Sequence, residues 1–114
     1  MTITGAHVIL YSPAADALRT MLRDTFGWTN VDAGGGWLIF ALPPAEVAVH
    51  PSDDATQELS LMCDDLGATM AELADKGVEF KGEPHDERWG RVTTMVLPGG
   101  VEVLLYQARH PTAV

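Results

Sequence analysis

Apolar and polar residues alternate in short runs along this chain, and twice the alternation gives way to apolar residues spaced three or four apart. A period of two marks a half-buried strand, whereas a period near 3.6 marks a helix with one face against a core. Ala6-His7-Val8-Ile9-Leu10-Tyr11 therefore predicts a strand over 6–11, with Ser12-Pro13 as N-cap and first helical position. Over 14–26 the residues Ala15, Leu18, Met21, Leu22 and Phe26 fall on one stripe, and Gly27 supplies the stop. Short strands are predicted over 28–32, 37–42 and 46–51. Gly34-Gly35-Gly36 is read as a hairpin turn, and Pro43-Pro44-Ala45 as the second break. The first half reads βαβββ.

The second half repeats this order. A strand is predicted over 58–63, Asp64-Asp65 can cap a helix carrying Leu66, Met70 and Leu73 on one face, and Gly77 ends it. Strands over 78–81, 88–97 and 101–107 follow, with 83–88 read as a polar loop. Sliding one half onto the other pairs His7 with Glu58 and Leu22 with Leu73. Leu42-Pro43-Pro44-Ala45-Glu46-Val47 pairs with Leu97-Pro98-Gly99-Gly100-Val101-Glu102-Val103, with one extra residue in the second turn. The pattern is that of a duplicated unit within one domain over 1–114: module one about 1–51, a linker about 52–56, and module two about 57–114.

Residues two apart on a strand share a face. Val8 and Leu10, Leu59, Leu61 and Cys63, and Val103 and Leu105 give purely apolar faces that belong under the helices. The opposite faces are mixed: His7, Ile9 and Tyr11; Glu46, Ala48 and His50; Glu58, Ser60 and Met62; Glu102, Leu104 and Tyr106. Largely apolar walls with a few polar groups suit a small-molecule pocket. Cys63, on the helix-facing side, is expected to be an inert buried thiol.

Charge narrows the partners. The 114 residues contain 7 Lys and Arg against 16 Asp and Glu, a net charge of −9. Nucleic acid and anionic membrane surfaces need clustered cations, so neither is an expected partner. No apolar run is long enough to span a bilayer, and the first residues lack the features of a signal peptide, so a cytoplasmic location is expected. With a single cysteine there is no internal disulfide and no zinc-binding Cys pattern.

These same residues resemble the vicinal oxygen chelate superfamily, which includes glyoxalase I, bleomycin-resistance proteins, extradiol dioxygenases and fosfomycin-resistance enzymes. The resemblance covers nearly all the chain. It rests on the paired βαβββ halves, His7-Val8-Ile9-Leu10-Tyr11, Leu59-Ser60-Leu61-Met62-Cys63-Asp64-Asp65-Leu66, Lys76-Gly77-Val78-Glu79-Phe80, Trp89-Gly90-Arg91 and Leu97-Pro98-Gly99-Gly100. It implies an α+β fold in which two βαβββ modules form a U-shaped, cup-like mixed sheet with helices on the outer face. It also implies a homodimer, and often a divalent metal at the floor of the cup.

Metal enzymes of that superfamily take ligands from the first and last strand of each half. By this resemblance the first-strand places fall on His7 and Glu58, which can ligate, and the last-strand places on Ala48 and Leu104, which cannot. His50 shares a face with Ala48 but stands roughly 6.5 Å further along the strand. His7, His50 and Glu58 have the composition of a two-His, one-carboxylate site, which a shifted register would be needed to assemble. The degenerate ligand set leads to the expectation that no metal cofactor is present. If one is, it is a divalent ion such as Fe, Mn, Zn or Ni.

The leading functional expectation is thus a protein that binds a small apolar or aromatic molecule in its cup. Tyr11, Phe40, His50, Met62, Trp89, Arg91, Leu104 and Tyr106 are the expected ligand contacts. The alternative is a metal-dependent extradiol dioxygenase or glyoxalase-like lyase with His7 and Glu58 as ligands and His50 or a water completing the shell; a third reading is a metal-free isomerase or hydrolase with Glu58 as base and His7 as acid. A plain structural role for each stands beside these: His7 paired with Glu58, His50 and His85 exposed, Trp89 structural.

Overall fold

The computed structural model describes residues 7–49 and 51–113. Its helices are α1 (Ala15–Asp24) and α2 (Leu66–Asp75), and its strands are β1 (Asn30–Asp32), β2 (Leu38–Phe40), β3 (Ser60–Met62), β4 (Glu79–Glu87), β5 (Gly90–Leu97) and β6 (Val101–Ala108). The fold is α+β. An antiparallel pair β1-β2 accompanies a mixed four-stranded sheet in the order β3-β6-β5-β4, in which β3 runs parallel to β6 and the other neighbours are antiparallel.

The duplication is visible in the helices. Residues 15 to 66 and 24 to 75 are each 51 apart, so both ends of α2 fall one repeat after those of α1. Their caps differ. The Asp65 carboxylate accepts from the Ala68 N–H at 3.0 Å, the N-cap expected from sequence. At α1 the expected Ser12 cap is corrected: the N-cap is Ala14, and no side chain caps the helix. The Ser12 hydroxyl accepts from the Ala14 N–H at 3.0 Å and donates to the Pro98 carbonyl at 2.8 Å, tying the helix start to the β5–β6 turn.

Leu18 of α1 joins Leu66 and Leu73 of α2 over Met95, Leu97, Val103 and Leu105 of the sheet, so both helices share one core. Leu66 and Met95 are fully buried. Burial on this face follows the apolar faces read from sequence, and it fixes the sheet register, because a one-residue slip would turn every core side chain to the opposite face.

Module two is a complete βαβββ unit. Module one keeps its helix and the β1-β2 hairpin, whose turn is the expected glycine run, with the Asp32 carboxylate accepting from the Gly34 N–H at 2.7 Å. The Arg19 guanidinium lies over the Trp37 ring at 5.5 Å and links this hairpin to α1. The strands expected over 6–11 and 46–51 are corrected: described residues 7–11, 45–49 and 51 are in no strand, and Ala6 and His50 lie outside the described residues. Val8 and Val47 are 51% and 91% exposed, so ordering these segments gains little apolar burial within one chain.

A second correction concerns 83–88. Its polar composition predicts a loop, yet β4 runs on through Glu87. The register between β4 and β5 shifts between Lys81 and His85. Pro84 falls in that irregularity, where a missing N–H costs no ladder hydrogen bond, and Gly82 takes the positive φ of 74° that a bulge requires.

Candidate functional site

The sheet face opposite the helices is built by strand pairing. Met62, Tyr106, Val92 and His85 form one row across all four strands, and Ser60, Leu104, Thr94 and Lys81 form the next. Neighbouring strands are about 4.8 Å apart, so each row is a continuous strip. Ser60, Met62, Leu104 and Tyr106 are thus brought onto one surface, as the parity of their strands predicted.

Tyr106 stands at the centre of this surface. Trp89, in the β4–β5 turn, meets it edge to face with ring centroids 5.3 Å apart at 85°. The His110 ring lies 6.1 Å from Tyr106 on the other part of the chain that follows β6. Met62 and Trp89 each keep 40% of their surface open to solvent. Two polar contacts border the patch: Lys81 to Glu102 at 3.0 Å, and His85 Nε2 to Glu87 at 3.3 Å. Beneath, the Cys63 thiol donates to the Tyr106 carbonyl at 3.7 Å. Burial pushes that thiol above its ordinary pKa, which suits an unreactive group rather than a nucleophile.

The other expected contacts are dispersed. Arg91 is exposed and pairs in register with Asp86 and Gln107, which places it on the face opposite Tyr106. Phe40 is half-buried in β2, while Tyr11 is 85% exposed outside any strand. His7 and Glu58 are both exposed and outside the strands, and His50 lies outside the described residues. Among the described residues no three of His, Cys, Asp and Glu are gathered as a metal site would require.

Val92, Thr94, Lys81, His85 and His110 were missed from sequence. For Lys81, Val92 and Thr94 the signal lay in the parity of the strands expected over 78–81 and 88–97; His85 was hidden by reading 83–88 as a loop, and His110 follows the last strand and carries no pattern. A cavity of about 410 Å³ also opens between Met21, Gly77, Glu79 and the Leu97-Pro98-Gly99-Gly100 turn. It begins at Val96, four residues from Val92 on β5, or roughly 13 Å from the aromatic patch. Glycine and proline line much of it, so it offers few groups to orient a ligand.

A sequence profile described as Glyoxalase/Bleomycin resistance protein/Dioxygenase superfamily matches residues 5–105. The chain belongs to this superfamily. Among solved structures, TnmS3, an antibiotic binding protein from Streptomyces sp. CB03234, is 24% identical over 95% of this chain and 98% of its own, with a TM-score of 0.67. A member of the superfamily from Sphaerobacter thermophilus DSM 20745 is 23% identical over 93% and 98%, with a TM-score of 0.63. Lactoylglutathione lyase from Agrobacterium tumefaciens is 16% identical over 90% and 94%, with a TM-score of 0.60. At these identities the likeness is one of fold, spanning a binding protein and an enzyme alike. Comparison with curated proteins gives no match. Among the described residues no helix is long and apolar enough to cross a membrane.

Proposed function

We propose that this superfamily member binds a small apolar or aromatic molecule on the sheet face centred on Tyr106, without the divalent metal of the superfamily's enzymes. The observation that carries this is the convergence of Met62, Leu104 and Tyr106 on one surface, with Trp89 set edge-on to Tyr106 and still partly open. Such a surface offers burial of apolar area and aromatic contact, with Ser60, Thr94 and Lys81 as nearby polar groups to orient the ligand. Leu104 sits where the resemblance places a last-strand metal ligand, and it has no donor atom. The likeness to TnmS3 supports sequestration of an antibiotic-like compound as the biological use.

The binding unit in this reading is a homodimer. Among the described residues, eight of the ten exposed large apolar ones lie in module one, including Ile9, Tyr11, Val47 and Val49. The radius of gyration is 15.1 Å, against about 13 Å for a compact chain of this length. A second copy would cover this surface and supply edges for the unpaired segments. Sedimentation tests the assembly: a dimer at micromolar concentration is expected, and a monomer at every concentration contradicts it. Fluorescence titration with a neutral polycyclic aromatic such as acridone tests the binding. Saturable binding that weakens in Tyr106→Ala is expected, and no binding, or equal binding by the variant, overturns the reading.

A further inference from the structure

We propose that the segment after β6, residues 109–113, is a wall of the binding site, and that it brings the His110 ring against a flat aromatic ligand seated at Met62, Trp89 and Tyr106. The proposal rests on the reading of that face as a small-molecule site and adds a part of the chain to which no role has been assigned.

The segment is fastened at both ends. At its start the Arg109 backbone N–H donates to the Trp89 carbonyl at 2.8 Å, and the Arg109 guanidinium meets the Asp86 carboxylate at 2.7 Å. At its far end the Ala113 N–H donates to the Glu46 carboxylate, in module one. The backbone bond is the firmer of the first two, because the side-chain pair is about half exposed and solvent weakens it. The segment therefore runs from the turn that carries Trp89 to the extended part of module one.

Between these fastenings His110 is exposed, so burial does not explain its position. Its ring nevertheless lies 6.1 Å from that of Tyr106, with the planes inclined by 35°. Its Nδ1 is 2.8 Å from the Pro111 carbonyl oxygen, a contact that restrains the ring's rotation. Trp89 at 85° to Tyr106 makes a corner, and His110 flanks the same Tyr106 ring. A flat ligand entering the corner meets a ring on more than one side, which is how aromatic surfaces select planar molecules over bulky ones.

The experiment uses the whole chain and acridone as the probe, with His110→Ala and His110→Phe as variants. Binding by the unaltered protein should weaken about two- to tenfold in His110→Ala, the scale of one lost aromatic contact. His110→Phe, which restores a flat ring, should bind within about twofold of the unaltered protein. Thermal midpoints of both variants should be unchanged, since the side chain is exposed. Unchanged binding by His110→Ala overturns the proposal, and so does a His110→Phe variant as weak as His110→Ala. Failure of the unaltered protein to bind acridone removes the proposed function and this inference with it.

Discussion

Trp89 and Tyr106 meet edge to face, 5.3 Å between ring centroids, although Trp89 belongs to a turn and Tyr106 to the strand two elements later in the sheet's path. The Arg109 N–H bond to the Trp89 carbonyl ties that turn to the chain just after β6. Tyr106→Ala should therefore lower affinity for a flat aromatic ligand by about tenfold, near 1.4 kcal/mol. Isothermal titration calorimetry measures this; retention of full affinity would show that the ligand does not touch the corner.

The β5–β6 turn should be among the most sensitive points for stability. A Cβ on Gly99 would lie 1.9 Å from the Ser12 Oγ, and Gly99 holds a φ of 87°. Gly99→Ala must both strain the backbone and displace the Ser12–Pro98 hydrogen bond, at an expected cost of about 2–4 kcal/mol. Ser12→Ala, which loses only the bond, should cost about 1 kcal/mol. Urea denaturation of the two variants separates these effects, and equal midpoints for both would refute the steric argument.

The core gives a prediction of opposite sign. Thr93 is 3% exposed, and among the described residues its hydroxyl has no hydrogen-bond partner. Thr93→Val keeps the shape and removes an unsatisfied group, so it should stabilise the fold by about 1 kcal/mol. Leu66→Ala, at a fully buried position, should destabilise it by about 2–5 kcal/mol. Thermal unfolding of both variants reads the two signs directly.

Cys63 sets a pH dependence. Burial raises its pKa in the folded chain, so the folded state holds the thiol proton to higher pH than the unfolded state does. Its contribution to stability is full below the ordinary thiol pKa and is lost as pH rises through the raised value. Folded protein at pH 8 should react with a thiol reagent more slowly than protein in denaturant, and Cys63→Ala should flatten the alkaline loss of stability. Equal reaction rates would place the thiol in solvent.

Much of the fold was legible because helix periodicity and strand parity are local. Leu66 and Leu73 on one side of α2, Asp65 as its cap, and Leu104 and Tyr106 opposite Val103 and Leu105 all follow from spacing. What spacing does not carry is whether an apolar strand finds an edge to pair with. The segments at 7–11 and 46–49 have the composition of strands and lack their hydrogen bonds in the single chain. The polar run over 83–88 hid His85, since charged residues on an edge strand read locally as a loop. The aromatic part of the candidate site was legible as types on one face. The contact between Trp89 and Tyr106 was not, because it depends on how the β4–β5 turn is tied to the chain just after β6.

The central claim is that ligand binds at the Tyr106 corner of the four-stranded sheet, and amide and indole chemical-shift mapping during an acridone titration tests it most directly. The account predicts saturable shifts at Met62, Trp89, Tyr106 and Ala108, with Met21, Gly77 and Gly99 unmoved. Shifts confined to those last three residues, around the separate cavity, or no shifts at all, would contradict it.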